Sequence, residues 1–219
     1  MWKWKLYDDL YVGIPSGIKI DGCEIDAEWT KVRANGNVGL SKTLELPKNP
    51  AEFAASFKGM YLRDTACHMK WDSLARSAVG VAAMNAWYNT NERALSLGCG
   101  APAGASGKTA YVGDAGKNKD ADVFPLPMSP EFDVKAYERL REYDKVVLAS
   151  DVLTTRALPK LLEIVGEGGN VIIDGPSLPC SALFFAFGMP VRELCGYYAV
   201  NQGDPAKDMK KFCVLSRAL

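Results

Sequence analysis

The chain has 219 residues, 48% of them hydrophobic, and its 26 lysines and arginines balance 26 aspartates and glutamates. That length and composition suit one large domain or two small ones with a real apolar core. Zero formal charge without a block of like charges argues against a nucleic-acid partner, which needs a clustered basic footprint.

The opening residues Met1-Trp2-Lys3-Trp4-Lys5-Leu6 lack the apolar core of a signal peptide. The longest apolar run, Ala182–Phe187, is too short to cross a bilayer. A soluble cytoplasmic protein with no membrane partner is therefore expected. Residues 2–12 read as a short amphipathic helix with Leu6 and Leu10 at helical spacing, stopped by Gly13 and Pro15. Residues 17–44 read as strands. The segment Ala27–Arg33, then Asn35-Gly36, then Asn37–Leu44 predicts a hairpin, because Asn-Gly favours the primed turn that matches strand twist. A helix is predicted over Ala51–Phe57, and a longer one from Ser73 to about Asn89, capped by Asp72. The longer helix is apolar over most of its circumference, so burial on most sides is expected. Residues 1–90 thus form a first α+β unit. Residues 91–107, rich in glycine and small side chains, read as a linker.

From Lys108 the pattern alternates strand and helix: strand Thr109–Val112, helix Val134–Arg141, strand Lys145–Ala149, helix Leu158–Val165, strand Asn170–Ile173 and helix Ser181–Phe187. Strands near Gly196–Val200 and Phe212–Leu215 complete it. This alternation predicts an α/β, Rossmann-like second domain over 108–219 with a mostly parallel sheet.

In such sheets ligands bind beyond the carboxyl ends of the strands. Three strands end in polar residues, at Gly113-Asp114, Ser150-Asp151 and Asp174-Gly175-Pro176-Ser177. Ser150, Asp151, Gly175, Pro176 and Ser177 are candidate ligand-binding residues, with Asp151 the candidate general base or metal ligand. Gly175 permits close backbone approach, Pro176 stiffens the turn, and Ser177 can meet a ligand or cap the next element. Asn85 joins them as the one amide in the apolar stripe Leu74, Ala78, Val81 and Asn85, where it must find partners or face a cleft.

Other chemistries find less support. The six cysteines, Cys23, Cys67, Cys99, Cys180, Cys195 and Cys213, contain no Cys-x-x-Cys pair, so reduced thiols are the default and a zinc ribbon is disfavoured. Adjacent Cys67 and His68 point opposite ways in an extended segment. A transition-metal site would need residues gathered by folding, such as Cys23, Cys67 or Asp151. One histidine and no Gly-x-Ser-x-Gly elbow exclude a familiar serine hydrolase pattern. Leu95-Ser96-Leu97-Gly98-Cys99-Gly100 imitates the first motif of S-adenosylmethionine methyltransferases. The following stretch, with one proline and two glycines, is too short and too poor in helix formers for the helix that fold needs.

An ordered series of patches carries a family likeness. It runs Glu28-Trp29-Thr30-x-Val32, Gly39-Leu40, Ser73-Leu74 and Gly80-x-Ala82-Ala83-x-Asn85-Ala86 in the first half. Val112-Gly113, Asp144-x-Val146-Val147-Leu148-Ala149-Ser150, Thr154–Leu162 and Gly175-Pro176-Ser177-x-Pro179 follow, then Leu183-Phe184, Gly188 and Gly196. The series resembles the "putative heavy-metal chelation" family, a domain family of unknown function. The resemblance implies an enolase-N-terminal-like α+β domain, a Rossmann-like domain, and a binding site for a metal or small molecule in the cleft between them. The sequence departs from that family at 114–132, a short polar stretch broken by Pro125, Pro127 and Pro130, where the first crossover is expected to be missing or replaced by a loop. The leading expectation is a protein that handles a small molecule or metal complex at that cleft, with a homodimer as the default assembly. A methyltransferase-like enzyme and a noncatalytic thiolate metallochaperone are the alternatives.

Overall fold

The computed structural model describes residues 4–97, 107–113, 122–186, 188–200 and 208–215. The front half begins with α1 (Lys5–Val12), whose Leu6, Tyr7 and Leu10 are buried. A three-stranded antiparallel meander follows, β1 (Ile20–Ile25), β2 (Trp29–Ala34) and β3 (Asn37–Lys42). The β2–β3 turn is the expected primed hairpin: Asn35 and Gly36 take φ of 52° and 74°, and Ala34 pairs with Asn37. Helices α2 (Pro50–Ala55) and α3 (Leu62–Ala66) lead to α4 (Leu74–Tyr88), which packs on β2 and β3.

Helix α4 is buried almost all round, from Ala75 to Tyr88. Its small side chains let it lie against the sheet with little between them. A Cβ on Gly39 would stand 2.0 Å from the Ala82 carbonyl oxygen and 2.1 Å from the Ala86 nitrogen. Strand and helix backbones therefore meet where only glycine fits. The cap of α4 differs from the one expected. The helix starts at Leu74, so Ser73, not Asp72, is the cap and accepts from the Arg76 amide at 3.3 Å, while the Asp72 carboxylate pairs with Arg156 at 2.7 Å. Within the stretch expected as a linker, Asn91–Ser96 forms helix α5, capped by Thr90. Residues 98–106 of that stretch lie outside the described residues.

The second half is a six-stranded sheet in the order β5-β4-β6-β7-β8-β9, built from β4 (Thr109–Val112), β5 (Asp122–Phe124), β6 (Lys145–Ala149), β7 (Val171–Asp174), β8 (Val191–Ala199) and β9 (Met209–Leu215). All neighbours are parallel except β8 and β9. The molecule is thus the expected α/β fold with a mostly parallel sheet and a smaller α+β part before it. The strand order reverses between β4 and β6, which is the topological switch point of the sheet.

Three details depart from the sequence reading. A short strand, β5, forms inside 114–132 and pairs with β4, where a loop was expected; residues 114–121 before it, including Asp114, lie outside the described residues. Val134–Glu142 is a 3-10 helix rather than an α-helix, and its two buried residues, Tyr137 and Leu140, are spaced three apart as that geometry favours. The crossover helix expected at Ser181–Phe187 shrinks to a 3-10 turn, Ala182–Phe185, hemmed in by Pro179 upstream and Gly188 and Pro190 downstream. Only α6 (Leu158–Val165) is the α-helical crossover the pattern predicted, with Pro159 in its first turn.

One sheet face, with Val146, Leu148, Val171, Ile173, Leu194 and Val214, joins the main core; the other carries Val147, Ile172, Cys195 and Cys213. Two amides of α4 stitch the halves together. Asn85 Nδ2 donates to the Leu40 carbonyl at 2.7 Å and to that of Pro176 at 3.3 Å. One turn on, Asn89 donates to the Leu178 and Tyr197 carbonyls, at 2.8 and 2.9 Å, and accepts from the Cys180 amide at 2.7 Å.

Candidate functional site

The polar strand ends meet where β6 and β7 finish. After β6 the chain enters a 3-10 turn, Ser150–Val152, which fixes the directions of Ser150 and Asp151. After β7, Gly175 turns the chain with φ of 138°. A Cβ there would come within 2.4 Å of Ser150 Oγ, so glycine is required both by the backbone and by the approach of the two loops. The loops are then tied by polar bonds. The Ser177 amide donates to Ser150 Oγ at 3.0 Å, and the Ser177 hydroxyl donates to Asp151 Oδ1 at 2.7 Å.

The front half closes the group. The backbone amide of Lys42, at the end of β3, donates to Ser177 Oγ at 3.0 Å. Ser177 therefore accepts from one half of the molecule while donating to a carboxylate of the other. Burial pushes the Asp151 carboxyl above its ordinary range, and the Ser177 hydrogen bond and the Lys42 charge pull part of the way back. The result is a carboxyl group with a heightened affinity for a proton, already oriented by a serine.

These residues border a cavity of about 370 Å³. Its lining includes Ser150, Asp151, Gly175 and Pro176 from the second half and Glu28, Trp29 and Lys42 from the first. Ala149, Asp174, Tyr197 and Met209 complete it, and Lys211 pairs with Asp174 at 3.2 Å. The cavity combines cationic, anionic and aromatic groups and is open to solvent.

Five of the six residues singled out from sequence, Ser150, Asp151, Gly175, Pro176 and Ser177, come together here. Ser177 is fully buried behind the wall, holding Asp151. Asn85 is also fully buried and does not line the cavity; behind the wall its amide donates to the Pro176 carbonyl. Its Oδ1 is buried without a hydrogen-bond partner. The sequence reading missed the contribution of β2 and β3. Glu28 and Trp29 belonged to a recognised patch, but nothing in the strand pattern shows that the end of this hairpin reaches the second sheet.

The suggested gathering of Cys23, Cys67 and Asp151 does not occur as a metal-binding group among the described residues. Cys67 donates to the Asp64 carbonyl, and His68 packs between the rings of Phe57 and Trp71. The methyltransferase motif also fails in its described part: Leu95 and Ser96 end helix α5, where that motif needs a strand, and Gly98–Gly100 lie outside the described residues.

Fold and site define a two-part α/β protein, with a ligand-sized cavity between the carboxyl edge of a parallel sheet and the end of an antiparallel hairpin. Within it, residues 7–88 match the domain family DUF4213, described as "Putative heavy-metal chelation". The resemblance read from the sequence is thus found over the front half. No curated protein matches the chain significantly. Solved structures that share the fold include two of the DUF364 family. A protein of unknown function from the DUF364 family of Desulfitobacterium hafniense is 22% identical, with TM-score 0.80 and 98% of each chain covered. A DUF364 protein of unknown function from Pyrococcus horikoshii is 16% identical, with TM-score 0.69, covering 98% of this chain and 100% of its own. Among the described residues no helix is long and apolar enough to cross a membrane.

Proposed function

We propose that this protein binds a small polar molecule, or a metal complex of one, in the cavity between its two halves. The observation that carries the reading is the Asp151–Ser177–Lys42 group: a partly desolvated carboxylate oriented by a buried serine, which is itself held by the opposite half. Units spanning 1–90 and 108–219 would each supply one wall. Asp151 is the group that takes a proton from the ligand or coordinates its metal. Ser150 and the 175–177 backbone bind its polar edge, and Trp29 and Tyr197 offer flat apolar contact. Asn85 is a positioning residue that fixes the Pro176 carbonyl.

Burial of a carboxylate without full compensation costs stability. Groups kept at that cost are enriched at functional sites. The test is to purify the protein unstripped from its native host. Native mass spectrometry and elemental analysis of wild type and Asp151→Asn would then be compared. The reading predicts a bound small molecule, alone or as a metal complex, in wild type that is lost or strongly reduced in the variant. Equal occupancy in both, or none in wild type, would contradict it.

A further inference from the structure

A second polar cluster lies on the faces of β8 and β9, beside the cavity but not in its lining, and outside residues 7–88. In β8, Glu193 and Cys195 are two residues apart and share a face. Cys213 in β9 is the direct partner of Cys195 in the antiparallel register. The Cys195 carbonyl accepts from Gly175, on the β7 side, so the Cys195–Cys213 pair is of the non-hydrogen-bonded kind, where side chains approach most closely. The two Sγ atoms are 3.0 Å apart, and Cys195 Sγ donates to Glu193 Oε1 at 3.2 Å. All three residues are buried, Glu193 being only 2% exposed. Their donor atoms lie within 4.8 Å of one another.

Glu193 is the anomaly. Among the described residues no cation pairs with it; its partner is a thiol. A carboxylate in such a place is expensive unless a positive charge meets it. We propose that Glu193, Cys195 and Cys213 form a binding site for a thiophilic divalent cation, zinc or cadmium in kind, distinct from the cavity at Asp151. Two thiolates and one carboxylate are a donor set such ions favour, leaving a fourth position for water. On one tetrahedral ion two thiolates stand about 3.8 Å apart, so a modest rotation of either cysteine opens the present spacing. Each thiol gives up its proton to solvent as its sulfur bonds the metal, so loading releases two protons and strengthens as pH rises.

A cross-strand disulfide is the competing use of the pair. It would remove the thiol that now donates to Glu193 and leave that buried carboxylate without its partner. The glutamate therefore favours the metal.

The test uses the full chain, reduced and freed of metal, titrated with cadmium alone. The proposal predicts one equivalent bound with a thiolate-to-cadmium charge-transfer band. X-ray absorption of that wild-type form should show two sulfur neighbours and at least one oxygen, a readout that needs no variant to fold. Cys195→Ser and Cys213→Ser should each weaken the band and together abolish it, Glu193→Gln should weaken binding, and Asp151→Asn should leave it intact. Absence of the band in reduced wild type, sulfur-free coordination, or a band that survives in the Cys195→Ser, Cys213→Ser double variant would overturn it. Failure here leaves the Asp151 reading standing, because that reading is tested by a variant this site does not feel.

Discussion

The two walls of the cavity are made in opposite ways. The front wall is steric: β3 lies so close to α4 that Gly39 admits no side chain, and the hairpin end is fixed by backbone against backbone. The rear wall is polar: two loops at the ends of β6 and β7 are tied to each other by Ser150, Asp151 and Ser177, while Val152, Leu153 and Leu178 anchor them in the core. A rigid front can therefore present Lys42 to a rear whose groups are chosen for chemistry rather than for packing. Binding residues on loops, positioned by a rigid scaffold, are the usual division of labour.

Substitutions should separate the two walls by the size and sign of their effects. Gly39→Ala attacks the steric wall and should be the most damaging, costing about 3 kcal/mol or more, since neither backbone can yield to a contact of that kind. Its midpoint of denaturation should fall, and the bond between Lys42 and Ser177 should be lost with it. Asn89→Ala attacks the join. It removes three hydrogen bonds from buried backbone groups and should cost on the order of 3 kcal/mol, seen as a fall in Tm of about 6 to 12 °C. Ser177→Ala attacks the polar wall alone and should cost about 1 to 2 kcal/mol, leaving the Lys42 amide unpaired. Its distinguishing effect should be weaker ligand retention in a protein that is still folded.

Asp151→Asn should be the smallest in size and opposite in sign. The folded-state pKa of Asp151 lies above its unfolded value, so the native state binds the proton more tightly. Stability contributed by this group is greatest at acid pH and declines as pH rises from the ordinary carboxylate range through the raised folded value. The asparagine variant keeps the acceptor for Ser177 and removes that decline. It should be slightly more stable than wild type at neutral pH, with the gain vanishing in acid. Thermal scans across pH would check this, and a variant destabilised at neutral pH would show that Asp151 serves the fold rather than the ligand.

Much of the rear wall was legible because its signals are local. A parallel strand followed by Ser-Asp, or by Asp-Gly-Pro-Ser, names its own position at the carboxyl edge of the sheet. The primed turn at Asn35-Gly36 was legible for the same reason. The front wall was not, because docking of the β3 end on Ser177 joins residues 135 apart, and no periodicity encodes such a contact. Asn85 was seen as a polar residue in an apolar stripe, but only coordinates reveal that its amide spans Leu40 and Pro176. The Glu193, Cys195 and Cys213 cluster was hidden differently. Its cysteines are 18 residues apart and become neighbours through antiparallel register, not through a metal-binding spacing. Two of the crossovers, at Val134–Arg141 and Ser181–Phe187, were misjudged as α-helices because apolar residues three apart fit both helix types when the segment is short.

The most direct measurement of the central claim is native mass spectrometry of the unstripped protein beside its Asp151→Asn variant, each then denatured to release what it carries. The account predicts a molecule or metal complex released from wild type and missing from the variant, while both remain folded. A wild-type protein that carries nothing, or a variant that carries as much, would contradict it.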